Sequence, residues 1–274
     1  MYGAMIGDMV GSTFEWDNLK SKEFELFREG SRFTDDTVMT LAVAKALMPY
    51  AGLSAEELRD EEKREEIRGE VVKALKEFGL RYPRAGYGGR FSQWLRFGDK
   101  PYNSYGNGSA MRVSSVGWLF DDIDAVREAA ALSAEVTHNH PEGIKGAEAV
   151  ASALFLARSR KSKEEIKAYI QREFHYDLDR SCDEIRPGYS FDVSCQGSVP
   201  EAIIAFLEST DYEDAIRNGI SLGGDSDTIG AMTGAIAEAF YGVPKLMIEA
   251  CKARLPEDLK AVALEMEAHT VCLG

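Results

Sequence analysis

The sequence predicts an all-α fold, and three observations carry that expectation. Apolar residues recur at helical spacing along most of the chain, alternating strand patterns are scarce, and helix starts are marked by Ser, Thr or Pro ahead of acidic residues. The chain has 274 residues with 45% apolar and 28% charged content, enough to bury a substantial core. No internal repeat or low-complexity linker divides it, so residues 1–274 are expected to form one domain of roughly a dozen helices.

The elements follow in order. Glycine stands at every fourth position in Gly3, Gly7 and Gly11, and Glu15 continues the spacing. Such a stripe predicts a helix pressed against another backbone, with the Glu15 carboxylate projecting from the packed side at its end. Thr34, Asp35 and Asp36 precede Val38, Leu41, Ala42 and Leu47, which places them at an N-cap and first turn. Ser54 before Ala55-Glu56-Glu57 opens the next helical stretch. The charged run Glu56–Glu66 reads as a solvated face, followed by the apolar stripe Ile67, Val71, Leu75 and Phe78. The stretch from Tyr82 to Met111, rich in glycine and aromatics, reads as irregular, and so does Tyr176 to Gly197.

Pro141-Glu142 opens a long Ala-rich helix with His140 at its start, and Ser162 ahead of Glu165 opens another. Ser198 with Pro200 and Glu201 is expected to begin the helix carrying Ala202, Ile203, Phe206 and Leu207. Gly223-Gly224 predicts a turn with positive φ, after which Asp225 and Asp227 alternate in an extended segment and Thr228 starts a helix. On that helix Gly230 with Gly234, and Ala231 with Ala235, leave one face nearly bare for close packing.

Charge and composition narrow the function. A net charge of −14 and a pI near 4.9 disfavour nucleic acid and anionic membrane surfaces as partners, so an anionic ligand must meet local donors or bound cations. Cys182, Cys195, Cys251 and Cys272 lack zinc-ligand spacing and read as free thiols of a reducing compartment. No cationic region precedes the N-terminal apolar residues, which Asp8 interrupts, and no uncharged run approaches the roughly 20 residues of a membrane span. A cytoplasmic location is expected.

Two acidic clusters carry the chemistry. Phe33-Thr34-Asp35-Asp36-Thr37 and Gly223-Gly224-Asp225-Ser226-Asp227-Thr228 each run into a helix. Capping explains Thr34 and one acid of the first cluster, but not a second adjacent acid. Carboxylates and Thr hydroxyls are hard oxygen ligands, and two such clusters brought together suit Mg²⁺ or Mn²⁺. A structural helical protein would explain the caps and glycine stripes and leave the gathered aspartates without purpose.

Together with the Gly7-Asp8 to Glu15 opening, Gly106-Asn107-Gly108-Ser109-Ala110-Met111-Arg112 and Thr137-His138, these clusters resemble the ADP-ribosylglycohydrolase family, in the family's order and across nearly the whole chain. The resemblance implies a compact multi-helix orthogonal bundle with two Mg²⁺ or Mn²⁺ ions. It implies cleavage of the glycosidic bond between ADP-ribose and an acceptor: an arginine or serine of a modified protein, or a small-molecule ADP-ribose conjugate. Carried over, it makes Thr34, Asp35, Asp36, Asp225, Asp227 and Thr228 metal ligands and Glu15 the mobile acid near the scissile bond. Asp36 is the alternative for proton transfer. Gly106, Asn107, Gly108 and Ser109 become the loop whose N–H groups hold the diphosphate, and His138 lies beside the ligand. Tyr189 and Phe191 are candidates to stack on adenine, with core packing as the competing reading. Ser114-Ser115 stands where the family pattern has proline. Two other classes fit part of the pattern: a two-metal phosphoesterase acting on a nucleotide, and a non-catalytic ADP-ribose-binding module.

Overall fold

The computed structural model describes residues Met1–Cys272. Among these, most helices are joined by short connections and a long one spans residues 12–34, there is no β-strand, and Gly106 and Ser194 form an isolated bridge. The first half contains α1 (Tyr2–Gly11), α2 (Asp35–Leu47), α3 (Ala55–Arg59), α4 (Glu61–Arg81), α5 (Gly89–Phe97), α6 (Gly108–Met111), α7 (Val116–Leu119) and α8 (Ile123–Glu135). The second contains α9 (Pro141–Arg158), α10 (Lys163–Phe174), α11 (Cys182–Ile185), α12 (Cys195–Leu207), α13 (Tyr212–Ser221), α14 (Ser226–Tyr241), α15 (Lys245–Lys252) and α16 (Glu257–Cys272).

The glycine stripes are two halves of one joint. A Cβ on Gly7 would lie 1.9 Å from Gly230 O, and one on Gly234 would lie 2.2 Å from Gly3 O, so α1 and α14 touch backbone to backbone. Gly3 faces Gly234 while Gly11 faces Ser226, which makes the pair antiparallel. Glu238 of α14 accepts from the N–H groups of Tyr2 (3.1 Å) and Gly3 (2.8 Å), two of the donors that a helix start leaves free. Every residue of α1 is buried, Asp8 included. The C-terminal end of α1 thereby meets the N-terminal end of α14, and the start of α2 joins them through hydrogen bonds to Asp8.

Several helix starts follow the sequence. Thr34 caps α2, Ser54 and Ser162 form capping boxes with Glu57 and Glu165, and His140 caps α9 through a side chain that accepts from Glu142 N. Others differ. The stretch expected to be irregular between Tyr82 and Met111 contains α5 and α6, and that between Tyr176 and Gly197 contains α11, capped by a Ser181–Glu184 box. The cap of α12 is Ser194, whose side chain accepts from Gly197 N, so Pro200 lies inside the helix and Ser198 bonds back to Ser194 O at 2.8 Å. α1 stops at Gly11 and Glu15 sits in the following turn, not on the glycine face of the helix. Cys182, Cys195 and Cys251 are free and buried, whereas the side chain of Cys272 falls outside the description.

Candidate metal centre and ligand cleft

Two helix starts converge on the end of α1. Asp35 and Asp36 occupy the first turn of α2, and Asp225 is the N-cap of α14 with Asp227 in its first turn. The two aspartates of the second cluster therefore converge because a cap and a first turn wrap around one helix start, not because they alternate along a strand. Gly223 and Gly224 make this possible with φ of 75° and 71°, which fold the chain back before α14. Thr228 Oγ1 contacts Asp36 Oδ2 at 3.3 Å across the two helices.

Asp8 lies beneath them, and no role was assigned to it from sequence. Its Oδ2 accepts from Thr34 N (2.9 Å), Thr37 N (3.0 Å) and Thr37 Oγ1, and its Oδ1 accepts from Thr34 Oγ1 at 2.7 Å. The signal was available: an acid inside a helix that is otherwise apolar and glycine must find donors if it is buried. Two groups of three acids, Asp8–Asp36–Asp227 and Glu15–Asp225–Asp227, each offer ligand oxygens within 4.8 Å of one another and share Asp227.

The electrostatics call for a cation. Burial, and then the charges of Asp8, Asp225 and Glu15, push Asp35 up to about 8. Burial likewise raises Asp36, on which Asp8, Asp35 and Asp225 act, and Asp227, on which Asp36, Asp225 and Glu15 act. Asp225 is raised by burial against the pull of its bond from Asn107 Nδ2 at 2.7 Å. Asp36 Oδ1 is buried and has no hydrogen-bond partner among the described residues. Crowded carboxylates with an unpartnered buried oxygen fit a divalent cation, which would supply the missing charge and coordinate hard oxygens.

These acids floor a cleft of about 580 Å³, within the usual range for a small-molecule site. Thr34, Asp35, Asp36, Asp225, Asp227 and Thr228 all line it, and so do Glu15, Gly106, Asn107, Gly108, His138 and Phe191. Glu15 is raised by burial and then by the charge of Asp225. In the glycine loop, Gly106 N–H is committed to Ser104 Oγ and Asn107 N–H to Val193 O, which leaves the Gly108 and Ser109 N–H groups without partners among the described residues. Ser109 turns its side chain away from the cleft, donating to Gly143 O at 2.7 Å.

The aromatic candidates separate. Tyr189 is not part of the cleft wall; its hydroxyl donates to Gly197 O at 2.9 Å and its ring backs onto Gly224. Phe191 is at the wall, 42% exposed, and stacks on Trp16 with ring centroids 5.2 Å apart. Trp16 is 80% exposed and was not singled out in the sequence, where a lone aromatic in a polar turn gives no signal. Arg32, Arg90 and Arg112 are further wall residues that sequence reasoning did not assign.

A family model described as ADP-ribosylglycohydrolase matches residues 1–272. The chain belongs to the ADP-ribosylglycohydrolase family. Among curated relatives, this ADP-ribosylglycohydrolase is 28% identical to the ADP-ribosylhydrolase ARH3 of Homo sapiens, over 96% of the chain and 90% of the relative. It is 27% identical to the ADP-ribosylarginine hydrolase Tri1 of Pseudomonas putida, over 89% and 70% respectively. A solved structure titled "ADP-ribosylglycohydrolase-related protein complex" superposes with a TM-score of 0.68 at 24% identity, covering 98% of this chain and 95% of the other. The ADP-ribosylglycohydrolase is thus a hydrolase by family with the all-α fold expected of it. Among its described residues, no helix is long and apolar enough to cross a membrane.

Proposed function

We propose that this hydrolase uses two divalent cations, Mg²⁺ or Mn²⁺, to cleave the glycosidic bond between ADP-ribose and a modified acceptor. The observation that carries the proposal is the meeting of two acidic helix starts around a shared Asp227, with an unpartnered Asp36 oxygen, on the floor of a cleft that also holds the glycine loop. Thr34, Asp35, Asp36, Asp225, Asp227 and Thr228 would hold the ions. Bound there, a metal pair supplies Lewis acidity for a water and a template for adjacent ribose hydroxyls.

The chain's own residues do the rest. Burial and the Asp225 charge make Glu15 hold its proton closer to neutral pH, the property needed to pass a proton at the leaving group or the water. Asp36, raised by its surroundings, is the alternative. Gly108 and Ser109 offer backbone N–H groups, and His138 a ring edge, to the diphosphate. Asn107 ties that loop to the metal floor through Asp225, so phosphate and reacting sugar would be positioned together. Phe191, paired with Trp16 at the mouth, offers a ring face for adenine, a role that Tyr189 is poorly placed to fill. The same reading takes residues 1–274 as one domain acting in the cytoplasm, without nucleic acid or a membrane as partner.

Acceptor identity is open to a direct test. Arginine-linked, serine-linked and O-acetyl ADP-ribose substrates are incubated with protein and Mn²⁺, and free ADP-ribose is measured. Release from at least one, abolished by chelation, is expected. Cleavage at phosphorus would instead indicate a phosphoesterase, and tight ADP-ribose binding without turnover of any substrate a binding module; either outcome overturns the proposal.

A further inference from the structure

A guanidinium buried without a carboxylate stands behind His138. Arg112 is 1% exposed, and its Nη2 donates to Ser133 O at 2.8 Å and Thr137 Oγ1 at 2.9 Å. Ser133 lies in the last turn of α8, where carbonyls lack helical partners and the helix dipole is negative, so the helix end substitutes for a counterion. Thr137 Oγ1 lies 2.7 Å from His138 Nδ1.

Proton counting then fixes the histidine. A guanidinium has no acceptor atom, so Thr137 must accept the bond from Arg112. The hydroxyl's second lone pair could accept from an Nδ1–H as well, but that would leave the buried hydroxyl proton without an acceptor among the described residues, so the hydroxyl donates to His138 Nδ1. A ring nitrogen that accepts carries no proton, which puts the proton of a neutral imidazole on Nε2. Burial, and then the charges of Arg112 and Arg90, hold His138 well below its usual pKa, so the ring is neutral at physiological pH.

Nε2 faces the glycine loop. A Cβ on Gly108 would sit 3.1 Å from it and one on Gly106 3.7 Å, and Nε2 has no hydrogen-bond partner among the described residues although His138 is only 5% exposed. We propose that Arg112 and Thr137 are positioning residues that lock His138 as its Nε2–H tautomer, so that the cleft always presents an N–H donor beside Gly106 and Gly108 to an anionic diphosphate. The other tautomer would turn a lone pair toward the same phosphate oxygens and repel them. The tautomer stands on the Arg112–Thr137–His138 geometry and the burial of the ring, while the diphosphate rests on the function proposed above.

Two-bond ¹H–¹⁵N spectra of ¹⁵N-labelled protein read the ring directly, and the signal missing in His138→Gln assigns His138 among the four histidines. A single Nε2–H species, unchanged between about pH 6 and 8 because an ordinary histidine would titrate there, is expected. Thr137→Val should give mixed tautomers and raise the ADP-ribose Kd about tenfold, the worth of one neutral hydrogen bond, whereas Thr137→Ser restores both. Circular dichroism checks that each variant folds, and the wild-type spectrum decides even if Thr137→Val does not. An Nδ1–H or doubly protonated wild-type ring, in protein that binds ADP-ribose, overturns the relay alone. A wild type with the Nε2–H ring that binds neither ADP-ribose nor inorganic pyrophosphate overturns the anion role and the functional reading with it.

Discussion

Asp8→Asn tests whether Asp8 supports the proposed metal centre or is one of its ligands. Asp8 Oδ2 already accepts three hydrogen bonds, which leaves little room for coordination, and its Oδ1 takes the proton of Thr34 Oγ1 at 2.7 Å in preference to Asp36 Oδ2 at 3.3 Å. A hydroxyl that ligates a cation must send its proton elsewhere, and Asp8 receives it, so the Thr34 lone pair stays turned toward the site. Asparagine can keep its carbonyl against Thr34 N, Thr37 N and Thr37 Oγ1 and put its amide against Thr34 Oγ1. Burial raises Asp8 while its bonds from Thr34 and Thr37 pull it back toward the carboxylate; three bonds to that carboxylate then become neutral, at a loss of up to about 1 kcal/mol each. The amide also forces the Thr34 proton toward Asp36.

An opposing effect is relief of repulsion, which for ionised carboxylates within 4.8 Å at an effective dielectric of 20 is worth about 3 kcal/mol per pair. Without metal, burial and the neighbouring acids raise Asp36 and Asp227, so the cluster sheds charge by taking up protons and the relief shrinks. The hydrogen-bond term wins. Asp8→Asn should melt about 6–12 °C below wild type in chelator and bind Mn²⁺ with 10–100-fold lower affinity, the usual effect of losing an outer-shell partner. Asp36→Asn, which takes one carboxylate out of the cluster and can set an amide donor where an acceptor oxygen stood unpartnered, should leave the chelated protein as stable or more so and abolish stabilisation by Mn²⁺. Thermal melts across a Mn²⁺ titration, with calorimetry for stoichiometry, read both. An Asp8→Asn protein that melts with wild type and keeps its affinity would refute the support role. A fall from two bound ions to one, at unchanged chelated stability, would make Asp8 a ligand.

Further expectations follow from the same geometry. Asp35, Asp36, Asp225 and Asp227 have folded pKa values above their unfolded ones, so the native state binds more protons and metal-free stability should fall as pH rises from about 4 towards 8. With Mn²⁺ present the slope should reverse, because deprotonated ligands bind metal better; parallel melts with and without Mn²⁺ would contradict a cation at these acids. Glu15→Gln should lower kcat by about 10²–10⁴-fold with metal content unchanged, and full turnover would pass the proton-transfer role to Asp36. Gly108→Val should weaken ADP-ribose binding, since its Cβ would already stand 3.1 Å from His138 Nε2; unchanged affinity in folded protein would move the diphosphate elsewhere. Gly7→Ala, whose Cβ would lie 1.9 Å from Gly230 O, should destabilise by at least about 1–3 kcal/mol, whereas Gly69→Ala, with open space in mid-helix, should stabilise by about 0.5–1 kcal/mol; equal melting temperatures would deny the α1–α14 joint.

What the sequence reveals depends on how locally each feature is determined. Caps and stripes are local: Ser54, Ser162 and His140 mark their helices because side chain and backbone partner lie within three residues. The glycine stripes of α1 and α14 announce close packing, yet that each is the other's partner is a long-range fact, and its direction shows only in the fold, where Gly3 meets Gly234, Gly11 meets Ser226 and Glu238 reaches Tyr2 N and Gly3 N. The short helices inside the glycine-rich and aromatic stretches were illegible because one or two turns give too few residues for a periodic pattern, and α11 is recognisable only through its box of Ser181 and Glu184. The acidic clusters were legible because two neighbouring acids exceed what a cap needs. Asp8 was legible only as an acid in need of donors, because the Thr34 and Thr37 that supply them belong to another helix start. Arg112 was hidden for the same reason, since its counter-charge is a helix end with no sequence signature. The residues that escape a one-dimensional reading are thus those whose partners are backbone groups brought in by the fold. In this cleft they lie one layer behind the proposed ligands, where Asp8 takes the proton of the Thr34 hydroxyl and Arg112 bonds the Thr137 hydroxyl that meets His138.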